Sequence, residues 1–152
     1  LQVVSSQLIA DLSDVAAERG RARMLLHRDR GDPLQQMVIA LRGRAYIRPH
    51  LNDRGFKSWH VLRGQLLFCV FAKDGRLRDS SVLGVDSAAA VRLNEPVYHT
   101  LVPLSDVAVY IETCSGPFLG TTYADWAPAE ASAEVGDAWV ERLLEEAAVT
   151  DG

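Results

Sequence analysis

Two histidines, a lysine and an asparagine are the residues of this sequence whose types and spacing could do chemistry. His50 ends the run "AYIRPH", Asn52 follows two residues later, and Lys57 precedes the run "SWHVLRG". His99 lies in a later run, "YHTLVPL". An imidazole titrates near neutral pH and can also bind a metal, whereas a lysine ammonium only donates hydrogen bonds. The residues alone leave three interpretations open: a metal site, a metal site that has lost its metal, or a polar loop.

A polar strand face is predicted for the segment that leads to His50. Alternate residues of a strand point to the same side, so one face would carry Tyr46, Arg48, His50 and Asn52. Such a face is either exposed to solvent or lines a polar cavity. Pro49 cannot donate a ladder hydrogen bond and indicates a strand edge or a bulge close by.

Short strands dominate the elements that must position these residues. From residue 45 onward the hydrophobic pattern alternates, in runs such as "QLLFCVFA" and "VAVYIETC" separated by turn signals such as "KDGR" and "NEPV". Many short strands without intervening helices are typical of an antiparallel sandwich or barrel. Before them we predict a helix in "SSQLIADLSDVAAERG", a short strand in "RARMLLH" and a second helix in "GDPLQQMVIALRG", with Asp32 as its N-cap and Pro33 in its first turn.

The chain is predicted to form one domain in three parts. Its 152 residues match the commonest domain size. Residues 1–43 would be a helical and extended segment packed on the barrel, and residues 44–118 the barrel core. Residues 119–152 would be a loop, "GPFLGTTYADWAPAEASAEVGD", followed by an amphipathic helix, "DAWVERLLEEAAV".

Composition narrows the classes of function. Hydrophobic residues make up 48% of the chain, which is ordinary for a folded domain and too high for disorder. A net charge of −4 argues against a nucleic-acid partner, and no apolar stretch is long enough for a membrane span. We therefore expect a cytoplasmic protein. Cys69 and Cys114 form no CxxC pair and are expected to be buried thiols.

An ordered set of short motifs resembles a known family. The segments "RPH", "HVLRG", "YHTLV", "GPF" and "WAPAE" occur in the order found in the WbuC family of RmlC-like cupins, and the resemblance covers roughly residues 20–130. It implies a mainly β protein with a single cupin barrel, a double-stranded β-helix or jelly roll, with N-terminal helices and a C-terminal helix. The site would lie in the barrel mouth. Cupins commonly pair through sheet edges, so a homodimer is expected.

The resemblance also implies a set of metal ligands, which this sequence matches only in part. The family's first and last histidines fall on His50 and His99, whereas its second histidine and its glutamate fall on Asn52 and Lys57. An amide is a poor ligand for a transition metal and a protonated amine is none. We therefore expect Lys57 to act as the cation of the site, without a cofactor. The alternative is a divalent transition metal (Zn, Ni or Fe) held by His50 and His99.

The resemblance and the residue types together favour an enzyme. The predicted catalytic residues are His50, His99 and Lys57, and the predicted substrate-binding residues are Tyr46, Arg48, Asn52 and Glu112. The expected reaction is an isomerase, epimerase or lyase type of acid–base chemistry on a sugar or secondary-metabolite intermediate. The positive charge of Lys57 favours an anionic small-molecule substrate. Two alternatives remain open: a non-catalytic ligand-binding cupin, and a metal-dependent cupin enzyme.

Overall fold

Two antiparallel sheets, each of five strands, form the body of the protein. A computed structural model describes residues 1–52, 55–129 and 133–150. In chain order the elements are α1 (Ser6–Arg19), β1 (Arg21–Leu25), β2 (Leu34–Arg42), β3 (His50–Leu51), β4 (Lys57–Arg63), β5 (Gln65–Phe71), β6 (Leu77–Gly84), β7 (Ala90–Leu93), β8 (Tyr98–Pro103), β9 (Val107–Ser115), β10 (Thr122–Tyr123) and α2 (Ala133–Thr150). The two sheets have the strand orders β1-β2-β9-β4-β7 and β10-β3-β8-β5-β6.

The core lies between the two sheets. Strands β2, β4 and β9 of the first sheet and β5, β6 and β8 of the second contribute its buried members, which include Ile39, Trp59, Tyr110, Phe68 and Leu101. Each comes from a strand in which inward and outward residues alternate. The predicted mainly β, single jelly-roll barrel is confirmed, with helices before and after it.

The first helix begins and ends where the sequence predicts. The Ser5 side chain accepts a hydrogen bond from the Leu8 amide, and Gly20 ends the helix in the left-handed conformation with a φ of 86°. Ala16 packs against Val38 and Val109, so the helix covers the outer face of the first sheet.

The second predicted helix is wrong, because residues 34–42 form strand β2. This strand lies between β1 and β9, and Val38, Ile39, Ala40 and Leu41 are all buried. A strand buried on both faces reads as a continuous apolar run, which periodicity cannot distinguish from a short helix. Asp32 caps no helix there and instead accepts a hydrogen bond from the Arg28 amide.

The strand predicted for residues 45–50 is also shorter than expected. Only His50 and Leu51 are in β3, and Arg44 begins the irregular segment with a φ of 57°. Pro49 has no N–H to donate to a neighbouring strand.

Strands β1 and β2 belong to the same sheet as β4 and β9, so residues of the predicted N-terminal part build the barrel wall. The three-part division at residues 43 and 118 stays a prediction.

The C-terminal helix is confirmed and begins earlier than predicted. Val140, Leu143 and Ala147 of α2 pack against Leu67 and Phe71 of β5. The preceding segment contains β10, and its residues 130–132 lie outside the described part of the chain.

In the described part, no helix combines the length and the apolar character needed to cross a membrane.

Candidate functional site

Strand pairing brings the two predicted histidines side by side. Strands β3 and β8 are antiparallel neighbours, and His50 lies directly opposite His99, with their ring centroids 4.6 Å apart. In the facing sheet, β4 and β9 pair so that Lys57 lies opposite Cys114 and Trp59 opposite Glu112. Directly opposed residues point to the same side of a sheet. The histidines of one sheet therefore meet Lys57 and Glu112 of the other.

The backbone fixes which ring nitrogen of each histidine carries hydrogen. His50 Nδ1 lies 3.0 Å from the Arg48 carbonyl oxygen, and His99 Nδ1 lies 2.9 Å from that of Val97. A carbonyl oxygen only accepts, so Nδ1 donates in both rings. In the neutral ring Nε2 is then the acceptor, and this is the nitrogen that can take up a proton.

The Lys57 ammonium is surrounded by acceptors. Its Nζ lies 3.1 Å from Asn52 Oδ1, 3.4 Å from His99 Nε2 and 3.4 Å from Glu112 Oε1. Nζ also lies 5.1 Å from the ring centroid of Trp59. Lys57 is only 6% exposed. An ammonium has three hydrogens to donate, so these three acceptors match its capacity.

Glu112 is held as a carboxylate. Burial raises the pKa of this carboxyl, but the charges of Lys57 and His50 and the hydrogen bonds from Trp59 and Lys57 outweigh burial and lower the pKa overall. Trp59 Nε1 donates to Glu112 Oε2 at 2.9 Å. Trp59 was not among the residues predicted for the site. Its place opposite Glu112 depends on the β4–β9 register, which the sequence does not reveal.

His99 is held neutral. Burial, then the charge of Lys57, then that of His50 lower its pKa well below the usual value, and the hydrogen bond to Val97 opposes them only in part. A neutral ring whose Nδ1 donates to a carbonyl presents Nε2 as an acceptor for the Lys57 ammonium. His99 Nε2 therefore accepts a hydrogen bond from Lys57 and helps to keep the ammonium in place.

The two histidines differ in accessibility: His50 lines a cavity, whereas His99 is buried beside it. A cavity of about 380 Å³ opens beside the cluster, and its charged and titratable lining includes Arg21, Arg23, Arg30, His50, Lys57 and Glu112. Asn52 also lines it, whereas His99 is not among its described lining residues. His99 is 1% exposed, with its ring centroid 4.9 Å from that of Trp59. Of the two histidines, His50 is the one a ligand in this cavity can reach.

Tyr46 and Arg48 do not join the predicted polar face. The Tyr46 hydroxyl donates to the Pro128 carbonyl at 2.7 Å, and its ring packs edge-on against Trp139 of α2. Arg48 donates from Nε and Nη2 to the Ala124 carbonyl, at 3.1 and 2.7 Å. Neither is among the described lining residues of the cavity. The shared face was expected from strand alternation, which fails because residues 44–49 are not in a strand.

The cysteines are free and buried, as the sequence predicts. Burial raises the pKa of the Cys69 thiol to about 12. Burial also raises the pKa of Cys114, and the neighbouring Glu112 charge raises it further. Both thiols are therefore protonated at neutral pH and are poor nucleophiles.

The residues around Lys57 do not fit the metal that the resemblance implies. The acceptors that would face a metal face the Lys57 ammonium instead, and a protonated amine is no ligand. Within residues 1–52, 55–129 and 133–150, no group of three or more His, Cys, Asp or Glu side chains is placed to hold a metal ion.

Solved structures with the same architecture define the class of fold. A cupin superfamily protein from Desulfitobacterium hafniense is similar with a TM-score of 0.52 and 9% identity, over 64% of this chain and 78% of that one. An oxalate oxidase is similar with a TM-score of 0.57 and 14% identity, over 85% and 73% of the two chains. Procruciferin, an 11S globulin from Brassica napus, is similar with a TM-score of 0.52 and 13% identity, over 60% of this chain and 23% of its own. The fold is that of a cupin.

The family follows from the sequence itself. The profile of a domain of unknown function, DUF6016, matches residues 4–83, more than half of the chain, and the chain belongs to that family. No curated protein is detectably similar in sequence.

Proposed function

We propose that this cupin is an acid–base enzyme in which a lysine ammonium occupies the position that a metal holds in the resembled proteins. The observation that carries the proposal is the contact of Lys57 Nζ with Asn52, His99 and Glu112 at 3.1–3.4 Å. The substrate is an anionic small molecule, a sugar or secondary-metabolite intermediate. The similarity to an oxalate oxidase, also known in complex with the substrate analogue glycolate, supports small anions as cupin ligands.

The proton-transfer role falls to His50. It lines the cavity, and its Nδ1 is occupied by the Arg48 carbonyl, so Nε2 accepts a proton from a substrate carbon or hydroxyl. The negative charge that develops on the neighbouring substrate oxygen is stabilised by the Lys57 ammonium, which is already oriented by its three acceptors. Return of a proton to another atom completes an isomerisation, and return to the opposite face of the same carbon completes an epimerisation. In both, the proton on His50 exchanges with solvent before it returns. Departure of a leaving group from the adjacent carbon instead completes an elimination, with the abstracted proton left on His50.

Deuterium exchange tests this function even while the substrate is unidentified. Sugar nucleotides, hydroxy acids and oxo acids would be incubated with the protein in D₂O containing a chelator, and deuterium uptake followed by NMR. We expect exchange on one compound class, lost in His50→Gln and retained in His60→Gln. His60 is a matched control because it lies on β4 but is exposed on the opposite face from Lys57. Exchange that requires an added metal would contradict the proposal.

A non-catalytic binding cupin is the second candidate. The burial of Lys57 and His99 in a mutually supporting cluster favours it, because such a cluster can serve to shape a pocket without chemistry. The two candidates differ in outcome: a binding protein would show ligand shifts in the same screen with no deuterium uptake by any compound.

Four further expectations accompany the proposal. The motif resemblance supports a relation between this DUF6016 chain and the WbuC cupins, a place in biosynthesis and a homodimer. A cytoplasmic location is proposed because the sequence has no apolar stretch long enough for a membrane span. The acid–base chemistry of His50 and Lys57 depends on none of them.

A further inference from the structure

Three arginines line the cavity that the catalytic proposal uses, and they have no part in that proposal. Arg21 and Arg23 are two residues apart on β1 and share its exposed, cavity-lining face, while Arg30 is exposed in the loop between β1 and β2. The guanidinium of Arg30 lies 5.5 Å from the ring centroid of Phe118, which also lines the cavity. The sequence placed Arg21 and Arg23 in a strand, but only the fold shows that this strand borders the site.

The sheet register separates these arginines from the reactive residues. Arg23 is opposite Ile39 on β2, and Ile39 is opposite Tyr110 on β9. Lys57 lies on β4, one strand further across. Neighbouring strands are about 4.8 Å apart, so the β1 and β4 backbones are separated by roughly 14 Å across the sheet. Between them lies a largely apolar floor that includes Met37, Ile39 and Tyr110.

The charges of the described residues that line the cavity are unbalanced. Among them, four cationic side chains face one carboxylate, Glu112, which already pairs with Lys57 at 3.4 Å. In the described part of the chain, none of the three arginines forms a salt bridge. The whole chain nevertheless has a net charge of −4. Concentrated positive charge at the mouth of a concave site attracts anions and raises their local concentration.

We propose that Arg21, Arg23 and Arg30 form a subsite for the phosphate or carboxylate group of the ligand. An apolar body of the ligand then lies over Met37, Ile39 and Tyr110, and its other end reaches His50 and Lys57. Guanidinium groups bind both kinds of oxyanion through paired, charge-assisted hydrogen bonds. This proposal rests on the proposed function for the position of the reacting end, and it adds the class of substrate: an amphipathic organic anion rather than an unmodified neutral sugar.

Binding of simple probes tests the subsite. Phenyl phosphate, phenylacetate and neutral benzyl alcohol would be titrated into the full chain by calorimetry or NMR. We expect both anions to bind and benzyl alcohol to bind far more weakly, and the tighter anion identifies the preferred group. The double variant Arg21→Gln with Arg23→Gln should weaken anion binding at least about tenfold, the loss expected from removing one charge-assisted hydrogen bond. Raising the salt concentration should weaken binding to the wild type more than to the variant.

An exposed arginine of the other sheet supplies the control. Arg78→Gln removes one positive charge from β6 and should leave binding unchanged. Equal anion binding by wild type and the double variant, or binding of neither anion at millimolar concentration, would overturn the subsite. The deuterium-exchange test with His50→Gln is a separate readout, so failure of the subsite and failure of the catalytic proposal can be told apart.

Discussion

A buried ammonium is costly unless acceptors replace its water. Lys57 has such acceptors in Asn52, His99 and Glu112, and Glu112 supplies the opposite charge. Burial and then the lysine charge lower the pKa of His99. For Glu112, burial raises the pKa, and the lysine charge is the largest of the effects that outweigh burial and lower it. Lys57 thus contributes both to a neutral histidine and to an ionised carboxylate.

The two histidines should respond differently to truncation. His50→Ala removes the proton acceptor at the cavity, and we expect activity to fall by a factor of about 10²–10⁴ with little change in stability. His99→Ala opens a hole beside Trp59 and removes an acceptor of Lys57, so we expect a loss of about 2–5 kcal/mol in the free energy of unfolding. Urea denaturation and the exchange assay measure the two effects. Equal stability losses in both variants would contradict the division of roles.

His99 also makes stability depend on pH. Its folded-state pKa lies well below 6.5, so below that pH the unfolded chain takes up a proton that the folded chain excludes. The contribution of His99 to the free energy of unfolding is therefore fully present above pH 6.5. It decreases as the pH falls below that value, by at most about 1.4 kcal/mol per pH unit.

Urea midpoints at pH 7.5, 6.5 and 5.5 measure this dependence. His99→Gln keeps an amide oxygen that can accept from Lys57 but cannot titrate, and it should flatten the decline between pH 6.5 and 5.5. Glu112, whose pKa is also lowered, contributes stability that is lost only at more acidic pH. The control His60→Gln should keep the wild-type slope. An unchanged slope in His99→Gln would show that another group is responsible.

At the scale of the elements, β2 is where sequence and structure disagree most. Its apolar run satisfied helix and strand patterns equally, and only the neighbouring β1 and β9 decide between them. The strands bounded by turn signals and lacking a competing helix pattern, such as β5 and β9, were predicted correctly. Arg21 and Arg23 were not predicted as site residues for a related reason. The sequence does not show which face of β1 borders the cavity, because that depends on the pairing of β1 with β2.

Substitutions within β2 test its role as a buried strand. Leu41 is 1% exposed and Leu34 is 47% exposed, so the two leucines form a matched pair on one strand. Leu41→Ala should lower the free energy of unfolding by about 2–5 kcal/mol. Leu34→Ala should change it little. Chemical denaturation of both variants gives the comparison, and a similar cost at the two positions would argue against this placement of β2.

At the scale of the whole molecule, the barrel brings together residues from distant parts of the chain. The resembled motifs alone predict that His50 and His99 share one site. They also show that Asn52 and Lys57 replace two metal-ligating residues of the resembled family. The contact of Lys57 with Glu112 could not be predicted from the sequence, because it depends on the β4–β9 register. Tyr46 and Arg48 were misplaced because the irregular backbone at residues 44–49 has no sequence period.

Sheet edges bear on the association of the whole molecule. Strands β1, β7, β6 and β10 lie at the edges of the two sheets, and open edges favour pairing with another chain. We therefore expect a homodimer with two-fold symmetry. Light scattering coupled to size exclusion measures its mass. A monomer across the micromolar range would contradict this expectation.

Metal binding by the wild type and by a designed variant tests whether the Lys57 ammonium occupies the place of a metal. Asn52→His with Lys57→Glu would supply three histidines and two carboxylates, a set that suits a transition metal. Lys73→Glu makes the same charge change at an exposed position and serves as the control.

The measurement is titration calorimetry with zinc, supported by the zinc-induced shift in melting temperature. We expect weak zinc binding by the wild type and the control, and tight binding with a raised melting temperature for the double variant. Tight, equal binding by all three proteins would show that Lys57 does not occupy the metal position.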